Sequence, residues 1–331
     1  MAFFSYSQSK FSSVDKELIK LNNERFFSGS VLVAKNGKVL YQKYVGYADL
    51  EHAVPIGPDT KFELASISKI FTAVLILQLV KTGKINLDAK VSEYIPEFTK
   101  SDSAQITIHN LLSHTSGIQD FVGLNCDFTS WTSKQFLEGL QKTPINFKAG
   151  TQFQYASSTY ILLRVIIEKV TGETYEDNLR EHIFKIAGMT NSGIIHNHQI
   201  IVDRALGYVN TGEDYQNALP VANPEIFIGA SSIYSTTEDL LKFDQTLYTD
   251  KLLQQNEKDL MYTIVQPPYG YGWFISEDSV KGKVVSHGGD IFGYTTLIER
   301  RLKNGVAIII LGNLQSISRE KIMGILNKTL N

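Results

Sequence analysis

Asn-Gly occurs twice in this chain, at Asn36-Gly37 and Asn304-Gly305, each time between runs of β-branched and aromatic residues. This pair of signals constrains the fold most. A two-residue hairpin turn needs φ > 0 at both positions, which Asn and Gly tolerate best. The first hairpin joins Gly29–Lys35 to 38–44, and the second joins 294–302 to 306–311, with a third strand over 284–286. Helices are expected over 14–23, before the first hairpin, and 318–330, after the last. Between these ends the pattern turns helical. Residues 70–80 are apolar on every side, broken only by Thr72 and Gln78, which marks a helix buried all round. Further helices are expected over 108–113, 133–141, 158–171, 175–186 and 237–248, with Gly172 and Gly188 as helix stops. Short hairpins need no crossover, so both ends can share one antiparallel sheet. The expectation is an α+β protein of one domain, 1–331, with an α/β part from 1–62 plus 226–331 and a helical part, 63–225, inserted between.

Composition narrows the function. Apolar residues are 43% and charged residues 20% of 331, a globular balance. The formal charge of −2 offers no basic footprint to a phosphate backbone, so nucleic acid is not the expected partner. The one cysteine, Cys126, excludes an internal disulfide and any multi-cysteine metal site, and reads as an ordinary small side chain. The longest apolar runs, 73–77 and 306–311, fall far short of the roughly 20 residues a bilayer span needs. The first residues have neither the basic nor the apolar region of a signal peptide. The chain as given reads as soluble, with its compartment left open, export included.

One local pattern can carry covalent chemistry. Ser66-Ile67-Ser68-Lys69 opens the buried helix, and residues three apart share a helix face. A serine hydroxyl needs a base to become a nucleophile. A lysine serves if burial disfavours its charged form, and the apolar helix supplies burial. The Ser66 backbone N–H, at a helix start, can hold a developing oxyanion. Ser-x-x-Lys also occurs at Ser7/Lys10, Ser13/Lys16 and Ser318/Lys321, but in polar terminal segments. Tyr155, just before the 158–171 helix, can relay protons or simply pack beneath the helix start. Ser286-His287-Gly288-Gly289-Asp290 follows a short strand; its glycines allow close backbone approach to a ligand, or merely form a turn. His196-x-His198 has no third ligand nearby, so no metal is expected. No Gly-rich phosphate loop and no Gly-x-Ser-x-Gly elbow is present.

Together these residues resemble a known family. The segment from Phe62 to Ala73, with Ser66-Ile67-Ser68-Lys69 inside it, resembles the active-site helix of the serine β-lactamase and penicillin-binding protein superfamily. The branch it is most similar to holds class C β-lactamases, D-alanyl-D-alanine carboxypeptidases and family VIII carboxylesterases. Four more segments are similar in the same order: 106–118, with His114-Thr115-Ser116-Gly117; Phe153-Gln154-Tyr155-Ala156-Ser157; 229–240; and His287-Gly288-Gly289. The resemblance spans about 27–313 and implies the β-lactamase/transpeptidase-like fold. It implies that Ser66 is the nucleophile, Lys69 its base and Tyr155 the proton carrier. It further implies that His287 stands where relatives have the lysine of Lys-Thr-Gly, with Gly289 as the last glycine. The N–H groups of Ser66 and Asp290 would form the oxyanion hole, with Gly288 between His287 and Gly289 in the same substrate-binding strand. No cofactor is implied.

Two positions depart from that pattern. Ser157 replaces the Asn of Tyr-x-Asn, losing an amide that would grip a substrate amide; it either faces the cleft or caps its helix. His287 replaces lysine, and a neutral imidazole anchors a carboxylate weakly. The expectation is therefore a serine hydrolase acting on small esters, amides or D-residue peptides. The alternatives are a D-alanyl-D-alanine carboxypeptidase or weak β-lactamase, an acyltransferase, and a penicillin-binding sensor with little turnover. The expected partner is a small-molecule or short peptide substrate.

Overall fold

The computed structural model describes residues 10–99, 103–120, 131–196, 198–212, 214–218, 223–266, 268–316 and 318–330. Cys126 and Ser7 lie outside the described residues.

The main sheet has six antiparallel strands: β1 (Gly29–Lys35), β2 (Lys38–Val45), β3 (Phe274–Asp278), β4 (Gly282–Ile291), β5 (Tyr294–Arg301) and β6 (Val306–Gly312). Their order across the sheet is β3-β4-β5-β6-β1-β2. The seam between the two ends of the chain is the β1–β6 ladder, in register from Gly29↔Gly312 to Lys35↔Val306. β1 is apolar on both sides because both its sides are covered. Val31 and Val33 join one cluster with α1 (Ser12–Asn23) and the C-terminal helix at Ser318–Leu330, through Val14, Leu18, Ile322 and Leu326. Leu32 and Ala34 join the larger cluster on the other face.

That larger cluster is built around α2 (Ser68–Lys81), whose residues Ser68 to Leu77 are all buried. Phe71 stacks on Phe243 at 4.3 Å between ring centroids. Beside it runs α3 (Ser157–Thr171), which ends at Gly172 with φ +75°. The segment expected as one helix over 175–186 carries a π-helical turn at Arg180–Phe184 and stops at Gly188, φ +71°.

The two Asn-Gly turns differ. Asn36 and Gly37 both take positive φ, +50° and +76°, as a two-residue turn requires. The second is a four-residue loop, 302–305, in which Gly305 alone has positive φ (+65°) and its N–H donates to Arg301 O at 3.0 Å. The expectation of two positive-φ positions at Asn304-Gly305 is corrected by that longer loop. The turns meet: Asn36 N–H donates to Gly305 O at 2.8 Å, and a Cβ on Gly305 would lie 1.9 Å from Asn36 Oδ1.

A second correction concerns His287 to Asp290. These residues do not follow a short strand; they lie inside β4, paired with β5 from His287↔Ile298 to Asp290↔Thr295. β3 stops earlier, at Phe274↔Ser286. From His287 onward β4 keeps β5 as its partner but has lost β3 on its other side.

Candidate active site

Ser66 sits in a 3-10 turn, Ala65–Ile67, that leads into α2. The chain enters it through the two-residue strand Phe62–Glu63, paired with Ile233–Ser235. Leu64 N–H donates to Ile233 O at 2.8 Å, and Ile233 N–H donates to Ser68 Oγ at 3.1 Å. Ala65 takes φ +49°; a left-handed non-glycine residue costs about 1–3 kcal/mol and persists where its surroundings force it. The result is selective exposure. From Phe62 to Leu77, Ser66 alone is not buried.

Lys69 is fully buried beneath it. Its Nζ is 3.0 Å from Ser66 Oγ, 3.2 Å from Ser157 Oγ and 3.1 Å from Ala230 O. Burial pulls its pKa down to about 7, against the opposing charge of Asp120. Burial raises the Tyr155 pKa above its ordinary value, and the nearby Ser66 hydroxyl opposes part of that rise. Lys69 Nζ also lies 5.0 Å from the centre of the Tyr155 ring.

Ser157 does not cap α3. The helix-capping position is Ala156, which has no side chain to offer. The Asp120 carboxylate does the capping, accepting from Ser157 N–H at 3.0 Å and Ser158 N–H at 3.3 Å. The Ser157 hydroxyl is thus left to face Lys69.

The β4 residues divide between the two faces of the sheet, as strand alternation demands. A Cβ on Gly289 would lie 2.3 Å from Leu64 O and 3.0 Å from Ala65 Cβ, so the strand runs directly against the turn that carries Ser66. Thr296 Oγ1, from β5, donates to the same Leu64 O at 2.9 Å. Gly288 and Asp290 face the other way, toward Arg319. A Cβ on Gly288 would lie 2.8 Å from Arg319 Nη1, and the Asp290 carboxylate pairs with that nitrogen at 3.1 Å. Gly289→Ala is therefore expected to push strand and turn apart and to lower kcat about 100-fold, the scale of an ångström-level misplacement. Steady-state kinetics on a protein whose circular dichroism is unchanged checks this.

His287 is 1% exposed. Its Nδ1–H donates to Gly288 O at 2.6 Å, leaving Nε2 to accept from Tyr269 OH at 3.1 Å. Burial first, and the Lys69 charge second, pull its pKa down to about 3. It is a neutral ring at ordinary pH.

Several residues at this centre had no individual sequence signal. Ala230 contributes a carbonyl, Asp120 a cap and Tyr269 a hydroxyl, and none of these roles follows from residue type. His114 stood in a family-like segment without an assigned part. Elsewhere, Ser318 bonds Ser316 at 2.7 Å while Lys321 lies over the Phe26 ring, so that Ser-x-x-Lys pair is not a site. His196 is held between Glu176 (3.0 Å) and Glu225 (3.8 Å). Among the described residues no group of three His, Cys, Asp or Glu side chains is gathered to hold a metal, and no helix is long and apolar enough to cross a membrane.

An antiparallel sheet with helices on both faces, and a half-exposed serine against a buried lysine, is the architecture of a serine hydrolase. The sequence profile of the beta-lactamase family matches residues 14–326. Penicillin-binding protein 4* of Bacillus subtilis (strain 168) is 32% identical over 319 residues, covering 88% of this chain and 69% of the relative. The crystal structure of FmtA from Staphylococcus aureus superposes with a TM-score of 0.84 at 25% identity, over 97% of this chain and 89% of that one. The D-amino acid amidase from Ochrobactrum anthropi SV3, complexed with D-phenylalanine, shares the fold with a TM-score of 0.83 at 22% identity, over 97% and 98%. The chain belongs to the beta-lactamase family, within the superfamily of serine β-lactamases and penicillin-binding proteins.

Proposed function

We propose that this chain hydrolyses small esters or amides, D-residue peptides among them, through an acyl-enzyme on Ser66. The observation that carries the reading is the Lys69 amine, buried, 3.0 Å from Ser66 Oγ, with a pKa brought down to about 7. A neutral amine has two hydrogens and one lone pair. The hydrogens serve Ala230 O and Ser157 Oγ, and the lone pair is left for the Ser66 proton. Ser66 Oγ then bonds the substrate carbonyl carbon. The developing oxyanion is received by the N–H groups of Ser66 and Asp290. The bond to the leaving group breaks, and the leaving group takes a proton relayed by Tyr155. Water attacks the acyl-enzyme by the reverse proton path and releases the acid. His287, Gly288 and Gly289 line the substrate strand, and Ser157 holds Lys69 in line.

The neutral His287 supports a preference for substrates without a carboxylate to anchor. The relative's name, a penicillin-binding protein, supports β-lactams as slower acylating agents. The test is intact mass spectrometry with a fluorophosphonate, a penicillin and p-nitrophenyl acetate. Expected are a stable phosphonyl adduct on Ser66, a transient acetyl adduct, and a kcat/KM for p-nitrophenyl acetate above that for any cephalosporin. A stable penicillin adduct with no ester turnover would make the protein a sensor. A cephalosporin preferred over the ester would make it a β-lactamase.

A further inference from the structure

His114 is a buried side chain at this centre that the chemistry above does not use. It is fully buried, and its backbone takes φ +56°, a region that residues other than glycine seldom enter. Two bonds from this single residue reach the chain on either side of Tyr155. Its carbonyl accepts from Gln154 N–H at 2.9 Å, and its Nδ1 accepts from Ala156 N–H at 3.2 Å. Its ring lies 4.4 Å from the Tyr155 ring, centroid to centroid, and 4.8 Å from that of Tyr269. Thr159 Oγ1 also comes within 3.3 Å of Nδ1, but its hydrogen goes to Ala156 O at 2.9 Å.

We infer that His114 is the positioning residue of Tyr155: it grips the backbone on both sides of the tyrosine and backs the phenol ring, so that the hydroxyl stays on Ser66. The positive φ is what turns the carbonyl and the imidazole of one residue toward the same segment, 154–156. A backbone N–H can only donate, so Nδ1 carries no proton and the neutral ring is protonated at Nε2. Nε2 is buried with no hydrogen-bond partner among the described residues. An orphaned buried donor is destabilising, since it gives up water without a replacement partner. Such a cost is unneeded in a side chain that only fills space, since leucine would fill it without one. Burial above all holds the His114 pKa well below its ordinary value, so the Ala156 bond persists through the working pH range.

The inference rests on Tyr155 acting at Ser66, and the experiment separates the two. His114→Leu keeps the bulk and loses the acceptor. His114→Asn keeps an acceptor near the place of Nδ1 and tolerates the positive φ. His114→Gln, the milder change if leucine does not fold, sets its amide at the wrong distance. Expected for His114→Leu and His114→Gln is a kcat on p-nitrophenyl acetate lower by about 10- to 100-fold with KM within about 2-fold, as for a misaligned reacting group. His114→Asn recovers most of it. In protein labelled with 13C at the tyrosine Cζ, the Tyr155 signal, assigned with Tyr155→Phe, shifts or broadens in the first two variants and not in the third. A Tyr155 signal unmoved in folded His114→Leu or His114→Gln overturns the inference whatever the activity. A signal that moves while wild-type protein fails to turn over ester upholds the positioning and rejects the hydrolase reading.

Discussion

Ser66→Ala is expected to abolish fluorophosphonate labelling and to lower kcat by at least about 10³-fold, because a nucleophile that works as part of a unit leaves only binding and oxyanion stabilisation behind. The fold should not notice. Ser66 is only half-buried, and its hydroxyl bonds Lys69 without supporting any backbone group. Its N–H stays, so substrate affinity should change little. Circular dichroism, a labelling gel and steady-state kinetics decide the matter. Persistent labelling in the variant would put the nucleophile elsewhere.

Lys69 variants should lose as much by a different route. In Lys69→Arg the guanidinium cannot give up its proton, and in Lys69→Met nothing remains to accept one, so acylation should fall at least about 10³-fold in both. In the wild-type protein kcat/KM should rise with pH through an apparent pKa near 7, as the amine loses its proton. Stability supplies an independent reading. The unfolded chain protonates this lysine below its ordinary value of 10.5, the folded chain only below about 7. Between those values the unfolded state holds the extra proton, so this group's contribution to stability grows as pH rises. Measured against Lys69→Met by urea unfolding, the wild-type unfolding constant should fall by up to about tenfold per pH unit between about 7 and 10. A flat difference would mean that the folded lysine is charged, and that the base is another group.

Much of this was legible where chemistry is local. Asn36-Gly37 specifies its own turn, and Gly29–Lys35 is a strand to the residue. The all-round apolar stretch is buried from Ile70 to Leu77, where α2 is enclosed on every side, and only half-buried at Gln78, Leu79 and Val80. Ser66, Lys69, Ser157 and Tyr155 do converge, as the three-residue spacing and the family-like segments implied. What escaped reading depends on residues distant in sequence. His287 to Asp290 looks like a turn because glycines weaken strands, yet β5 pairs with it throughout. The glycine at 289 answers to a carbonyl at Leu64, more than two hundred residues away. Which of two roles Ser157 takes depends on Asp120, from another segment, which caps α3 in its place. His114 and Tyr269 carry no pattern of their own, since a buried histidine or tyrosine takes its meaning from the atoms around it.

The β1–β6 ladder sets a timetable for making this protein. Lys35 finds its partner only when Val306 has been made. At about 5–20 residues per second, a ribosome needs on the order of tens of seconds to travel between them. Through that interval the first hairpin has β2 on one side and a bare row of backbone donors and acceptors on the other, along a strand with six of its seven residues destined for the interior. Exposed edges of this kind recruit other chains, and pairings closed over such long loops form slowly. The strand that completes the sheet is thus made long after the hairpin that waits for it, and a chain halted before residue 306 has Ser66 and Lys69 but not the strand that joins β1 to β5. Expression should accordingly be limited by capture of the waiting N-terminal hairpin, improving at lower temperature or with a chaperone that covers it.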